Sequence, residues 1–199
     1  MQLIPVYFPS IDYVAQLIKQ PVTFTLEAHY QKQTFRNRCS IYGANGRLNL
    51  SIPIQHTKSS GHQKDQEVKI KWNEKWQQNH WRSLESAYRS SPFFEFYEDE
   101  LKTVFFQKKE RLMEYNLTLM NCLFEWLDIE MPQDFAKAYR PFTYDELRLI
   151  NAKKNTTKLQ HPSYSQVFDM KHGFIDNLSV LDLLFNLGPE SKSYIESIG

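Results

Sequence analysis

The first thirty residues constrain the fold more than any other stretch of the chain. Gln2 to Phe8 is mostly apolar and ends in Pro9-Ser10. Ser10 is a helix-capping residue type, and Ile11, Val14, Ala15 and Ile18 follow it at helical spacing. Pro21 closes that helix. Residues 22–30 then alternate, with Val22, Phe24, Leu26, Ala28 and Tyr30 on one face and Thr23, Thr25, Glu27 and His29 on the other. Alternation with a period of two predicts a half-buried strand. A helical crossover returns the chain in the same direction, so the two strands are expected to pair in parallel.

A hairpin is expected next. Phe35 to Tyr42 and Arg47 to Ile54 flank Gly43-Ala44-Asn45-Gly46, a strong turn signal. A four-residue loop pairs Ile41 with Leu48, Cys39 with Leu50 and Asn37 with Ile52, and sets Arg38 opposite Ser51 beside Ser40 and Asn49. Gln55 to Gln66 is polar around Ser-Ser-Gly and reads as a mobile loop, and Glu67 to Trp72 alternates like a further strand.

Lys75 to Leu127 reads as mainly helical. Trp76, His80, Leu84 and Ala87 share one stripe, and Ser91-Pro92 suits the start of a helix over 92–107. A helix over 110–127 carries two apolar stripes and is expected at the centre of the core. A short helix is expected at 143–151. Another runs from Leu178 to Leu187, capped by Asn177 and ended by Gly188-Pro189. The expected architecture is one α/β domain over residues 1–199. Its mixed sheet holds the opening strands and the hairpin and is packed by several helices, with α+β as the alternative.

Composition narrows the class. The chain has 199 residues, 41% of them hydrophobic, which is enough to bury a core without disulfides or metal. It is not the composition of collagen, a coiled-coil rod or a disordered tail. The formal charge of +1 provides no global field for nucleic acid or anionic lipid, so basic function must come from a local patch. Two cysteines, Cys39 and Cys122, form no disulfide framework and fit a reducing compartment. The opening residues lack the basic start of a secretory signal, and no apolar run is long enough to span a membrane. A cytoplasmic protein is expected, with no nucleic-acid partner and no membrane insertion.

Asp182 is the sharpest chemical signal. A carboxylate among Leu181, Leu183, Leu184 and Phe185 must be paired or hydrogen-bonded, either structurally or in orienting a cation or substrate. Lys32, Arg36 and Arg38 cluster where the second strand ends. Arginine offers a planar fork for carboxylate or phosphate, and lysine a point charge or a nucleophilic amine. Glu27 and His29 precede the cluster on the polar face, where they could serve as acid and base or lie simply exposed. A pairing of Asp182 with Arg38 or Lys32 would join the two regions. His80 on an apolar stripe reads first as a core residue. The histidines at 29, 56, 62, 80, 161 and 172 lack metal-ligand spacing, so no metal and no cofactor is expected. There is no G-x-G-x-x-G, Walker A loop or G-x-S-x-G elbow. Trp72, Trp76 and Trp81 read as packing anchors.

Several segments in order resemble the WbqC-like family of bacterial proteins. They are Tyr7-Phe8-Pro9, Tyr30-Gln31-Lys32 continuing to Asn37-Arg38, Ile52-Pro53-Ile54, Trp76 with His80, and Tyr88 followed by Ser91-Pro92-Phe93-Phe94. The most specific is the run from His172 to Asn186 that ends in Gly188-Pro189. The resemblance implies a role in surface-polysaccharide (O-antigen) synthesis, as a transferase moving glycine or another aminoacyl or acyl group onto a sugar. Tyr30, Lys32, Asn37 and Arg38 match the family's second-strand and hairpin motif, Glu27 stands where longer members have an Asp, and Asn177, Ser179 and Asp182 match the C-terminal motif. Longer members carry His-Gln-Pro before the first Tyr and a glycine-rich stretch before the C-terminal motif. This chain has Ile4-Pro5-Val6 and no such stretch, and so resembles a short subgroup.

On this reading Glu27, Lys32 and Asp182 are the candidate catalytic residues. Tyr30, Asn37, Arg38, His80 and Asn177 are the candidate substrate-binding residues. Lys32 and Arg38 would hold a small-molecule anionic donor, and Glu27 or Asp182 would position or deprotonate the amine or hydroxyl of a sugar acceptor. The alternative is a non-catalytic module that binds a metabolite or a protein, which the missing His favours. A nucleotidyltransferase-like enzyme has only the strand–helix–strand opening in its favour, because Val6 to Pro9 offers no H-x-G-H pair. Oligomeric state is left open by the sequence.

Overall fold

Ser10 caps the first helix as its residue type predicts, its hydroxyl accepting from the Tyr13 amide at 3.4 Å. The computed structural model of the chain describes residues 1–55, 63–72, 75–136, 138–152 and 159–198. The opening strand is short, β1 at Gln2–Leu3, followed by helix α1 at Ile11–Lys19 and strand β2 at Thr23–Phe24. β1 and β2 pair in parallel, as a helical crossover requires. The expected strands over 2–8 and 22–30 are mostly extended chain taken up by other partners. Tyr7 donates its amide to Phe35, and Ala28 and Leu26 accept from Asp65 and Gln66. These bonds are made segment by segment rather than along one ladder, so the sheet does not widen.

The hairpin has the expected register. Strands β3 (Arg38–Gly43) and β4 (Gly46–Ser51) pair Arg38 with Ser51, Cys39 with Leu50, Ser40 with Asn49 and Ile41 with Leu48. The loop is tighter than expected, with Ala44 and Asn45 alone between the strands and Gly46 in the left-handed region at φ 93°. β3–β4 stands apart from β1–β2, so the strands form two small sheets, one parallel and one antiparallel, within the α/β domain. The stretch 67–72 forms no full strand. Asp65–Glu67 is a 3₁₀ turn, and Lys69 and Ile70 make isolated bridges to Arg111 and Ile54.

Helices supply the bulk of the core. α2 is Trp76–Tyr88, α3 Phe94–Phe105 and α4 Leu112–Trp126. α4 buries Leu112, Met113, Leu119, Met120, Leu123 and Phe124, as its two apolar stripes require. Ser91 does not start α3: its hydroxyl donates to the Tyr88 carbonyl at 2.6 Å and closes α2. The Phe93 amide donates to Phe185 at 3.0 Å, so a tertiary contact sets that boundary. α5 is Tyr144–Ile150, with a Thr143–Glu146 capping box. Glu146 also accepts from Gln2 and Arg140. Burial alone would raise its pKa, but the hydrogen bonds outweigh burial and hold it at about 2.

α6 (Asp169–His172) and α8 (Ser191–Ser197) were not expected from the sequence. α7 is Val180–Leu187, capped by Ser179 rather than Asn177. Asn177 sits at φ 44° and turns its side chain away, its Oδ1 accepting from the Asp12 amide at 2.9 Å. Gly188 follows α7 at φ 53°, where a Cβ would lie 2.6 Å from the Phe93 ring. Cys39 and Cys122 are free and buried. No helix among the described residues is long and apolar enough to cross a membrane.

The largest fully buried side chain is that of Arg36, enclosed together with Asp65. Arg36 Nε donates to Asp65 Oδ1 at 2.8 Å. Removing one partner of such a pair leaves an uncompensated buried charge. Asp65→Ala is expected to lose about 3–5 kcal/mol in urea unfolding. A loss below about 1 kcal/mol would show that Arg36 is solvated in the variant and does not need its partner.

Candidate functional site

The turn that buries Arg36 presents its neighbours outward. Residues 35–37 leave the extended conformation just before β3, so Arg36 points into the protein while Asn37 and Arg38 face an open cleft of about 410 Å³. Tyr30, Lys32 and Gln33 form one wall of this cleft, and the Ile52-Pro53-Ile54 segment with Lys71 forms another. The walls are held together by hydrogen bonds. The Tyr30 hydroxyl donates to Asn37 Oδ1 at 3.0 Å, and Asn37 Nδ2 donates to the Ile52 carbonyl at 2.8 Å. Lys71 reaches the cleft because its backbone pairs with Pro53, the amide donating at 2.9 Å. Gln33 lies at φ 61°, and its carbonyl accepts from Ala152 just beyond α5, which holds this turn in place.

The electrostatics of the cleft are one-sided. Lys32, Arg38 and Lys71 all line it, and among the described residues no carboxylate does. Arg38 Nε is buried with no hydrogen-bond partner. Burial pushes the Tyr30 phenol up to about 12, although Arg36 and Arg38 pull it the other way, so it stays protonated as a hydrogen-bond donor.

The cleft gathers half of the residues expected from the sequence. Tyr30, Lys32, Asn37 and Arg38 meet there. Glu27, His80, Asn177 and Asp182 do not line it. Glu27 accepts from Lys64 Nζ and Gln66 Nε2, each at 2.6 Å, and the Lys64 bond holds its carboxyl below the usual range. His29 is exposed, and Arg36 is spent on Asp65. His56 and His62 lie outside the described residues. Lys71 was not singled out by sequence reasoning. The signal was present in the alternation of 67–72, which puts Lys69 and Lys71 on one side of an extended segment.

Asp182 is buried, as its neighbours require, but it does not pair with Arg38 or Lys32. Tyr88 donates to its Oδ1 at 2.9 Å, and Tyr164 and Gln166 donate to its Oδ2 at 2.6 and 2.8 Å. Burial pushes its carboxyl up while these three bonds and the charge of Arg47 pull it down. The expected link between the two motif regions fails because neutral donors from α2 and from residues 164–166 satisfy the carboxylate first. His80 lies 3.0 Å from the Tyr7 hydroxyl through Nδ1, inside a cage with Trp76. A carboxylate–imidazole contact that sequence reasoning missed joins Asp12 Oδ1 to His161 Nε2 at 2.7 Å, both side chains buried. The two lie 149 residues apart, so no local spacing signals them.

The fold and the cleft define an α/β domain with a localised cationic cleft. Residues 5–158 and 150–194 match the WbqC-like protein family, and the chain belongs to that family. It is 26% identical to Rv1507c, an uncharacterized protein of Mycobacterium tuberculosis, over 95% of this chain and 91% of the relative. No solved structure matches it.

Two outcomes follow from the buried polar groups. Burial pushes the His80 imidazole down to about 4, with a bond to the Ser51 backbone opposing it. The unfolded chain binds a proton below about pH 6.5 that the folded protein refuses. The contribution is therefore complete above pH 6.5 and lost as pH falls toward 4. Relative to His80→Gln, the wild-type chain should lose up to about 1.4 kcal/mol of stability per pH unit across that window, read from urea unfolding at each pH. Equal slopes would contradict a buried neutral imidazole. Tyr164→Phe removes one donor to a buried carboxylate and should cost about 1.5–3 kcal/mol. An unchanged unfolding midpoint would mean that water replaces the hydroxyl.

Proposed function

We infer that the chain is a group transferase whose cationic cleft holds the anionic part of an activated donor. The carrying observation is Arg38 Nε, buried and unpartnered in a cleft lined by two further cations. A buried donor without an acceptor is costly, and an oxyanion relieves that cost. Lys32 and Lys71 add point charges, and the Tyr30 hydroxyl and Asn37 orient the ligand. Membership of the family supports the finer reading, transfer of a glycyl, other aminoacyl or acyl group to a sugar during surface-polysaccharide synthesis. In that reaction the acceptor amine or hydroxyl attacks the donor carbonyl, the donor's anionic leaving group departs, and the acceptor proton passes to a base. Charge building on the leaving group is what the cations would stabilise.

A second reading rests on a specific observation. Neither a carboxylate nor an imidazole lines the cleft among the described residues, and Tyr30 is held in its protonated form. A site that binds an anion and lacks a resident base suits a non-catalytic binding module. A turnover assay with saturating donor separates the two, since binding without product supports the module.

The test is a thermal-shift screen with free amino acids, ATP, acyl-CoA and nucleotide sugars. A ligand at about 100 times its Kd adds about 2.7 kcal/mol, a shift of roughly 5–11 °C for a chain of this size. Arg38→Ala is expected to keep the fold and abolish the shift. An unchanged shift in that variant would remove Arg38, and with it this cleft, from the assignment.

A further inference from the structure

We propose that the chain carries a second small-molecule site, for a six-membered ring bearing an anionic group, in the cleft between Trp72 and Phe106. This cleft, of about 310 Å³, is lined by Trp72, Lys75, Gln77, Gln78, Phe106 and Lys108. It is separate from the cationic cleft, and its existence does not depend on the reading given to that one. The two share a wall, because Lys71 lines the first and its neighbour Trp72 lines the second.

The chemistry of the lining selects the ligand. Trp72 is anchored, its indole N–H donating to the Lys109 carbonyl at 2.9 Å, and its ring packs against Trp76 and Tyr115. It is therefore a fixed apolar platform, partly buried against the core and partly accessible. Phe106 supplies a second apolar wall and is 37% exposed. Fixed aromatic faces bind flat rings and the C–H faces of sugar rings.

Lys108 Nζ lies over the Trp72 ring, 5.9 Å from its centroid, where it can reach an anionic group on a ring entering the cleft, and Lys75 lines the same cleft. Among the described residues neither lysine pairs with a carboxylate, and no acidic residue lines the cleft. Gln78 is exposed and adds an amide that can donate and accept. Lys75 is also the N-cap of α2 and makes no side-chain capping bond, which adds the positive end of a helix to the same edge. An apolar platform with two lysines and an amide beside it is matched by a ring that carries one negative charge and hydrogen-bonding substituents. Nucleoside monophosphates and uronate sugars both present that chemistry.

Titration of the full chain with UMP and with glucuronate, followed by saturation-transfer NMR and tryptophan fluorescence, tests the proposal and separates the two sources. Binding of either probe, at least about tenfold tighter than uridine, glucose or inorganic phosphate, is expected. The Lys75→Ala/Lys108→Ala double variant and Phe106→Ala, all at exposed positions, should each weaken it by about tenfold, while Arg38→Ala leaves it unchanged. Three results would overturn the proposal: no binding of either probe, equal binding of inorganic phosphate, or loss in Arg38→Ala with retention in the double lysine variant. The last would place the ligand in the cationic cleft and leave that assignment standing.

Discussion

A guanidinium with no access to water has to be met by a carboxylate, and much of this fold is arranged around Arg36 and Asp65. Asp65 belongs to a short 3₁₀ turn whose backbone pairs with residues 26–28, and Arg36 belongs to the turn that leads into the hairpin. The ion pair thus ties the end of the second segment, the 63–67 segment and the hairpin entrance to one point. Asn116 on α4 reinforces it, donating to the Arg36 carbonyl at 2.7 Å. Asp65 Oδ2 is buried without a hydrogen bond, and burial pushes the Asp65 carboxyl up despite its partner, so the pair carries a desolvation cost. What that arrangement secures is geometry. With Arg36 turned inward, Asn37 and Arg38 have only the cleft to face.

The second polar centre works differently. Among the described residues Asp182 has no cation in contact and is held by two phenols and an amide, all neutral. Tyr88 also accepts from the Tyr42 amide at 3.1 Å, so the hydroxyl that satisfies the carboxylate fastens α2 to β3 as well. Asp12–His161 and the Asn177 side chain bind the start of α1 to the C-terminal third of the chain. Both motif regions at the chain ends therefore make structural joints, and the cationic cleft lies elsewhere, on the Tyr30–Arg38 segment and Lys71.

Legibility in the sequence followed the range of the interaction. The hairpin register was readable because period-two patterning on both strands and a Gly-rich turn agree. Helices α1, α2 and α4 were readable from apolar periodicity, and Asp182 announced its burial by its neighbours. The cap of α7 was misread because Asn177 and Ser179 are both good capping residues, and the choice falls to whichever has no tertiary partner. Asn177 has one in Asp12. The start of α3 was misread for a similar reason, since Phe185 claims the Phe93 amide. α6 spans only four residues, and α8 carries only Tyr194 and Ile195 among polar neighbours, so neither leaves a periodic signature.

What the sequence determined by itself is the alternation of apolar and polar residues, the turns that need glycine, and the fact that a carboxylate at position 182 must be satisfied. These are consequences of steric and solvation rules that act within a few residues. Which donors satisfy it, which arginine of the Lys32–Arg36–Arg38 cluster goes inside, and which lysine completes the cleft were decided by tertiary structure alone. The partners lie 16 to 94 residues apart, and only the packed chain brings a given donor within hydrogen-bond distance of a given acceptor.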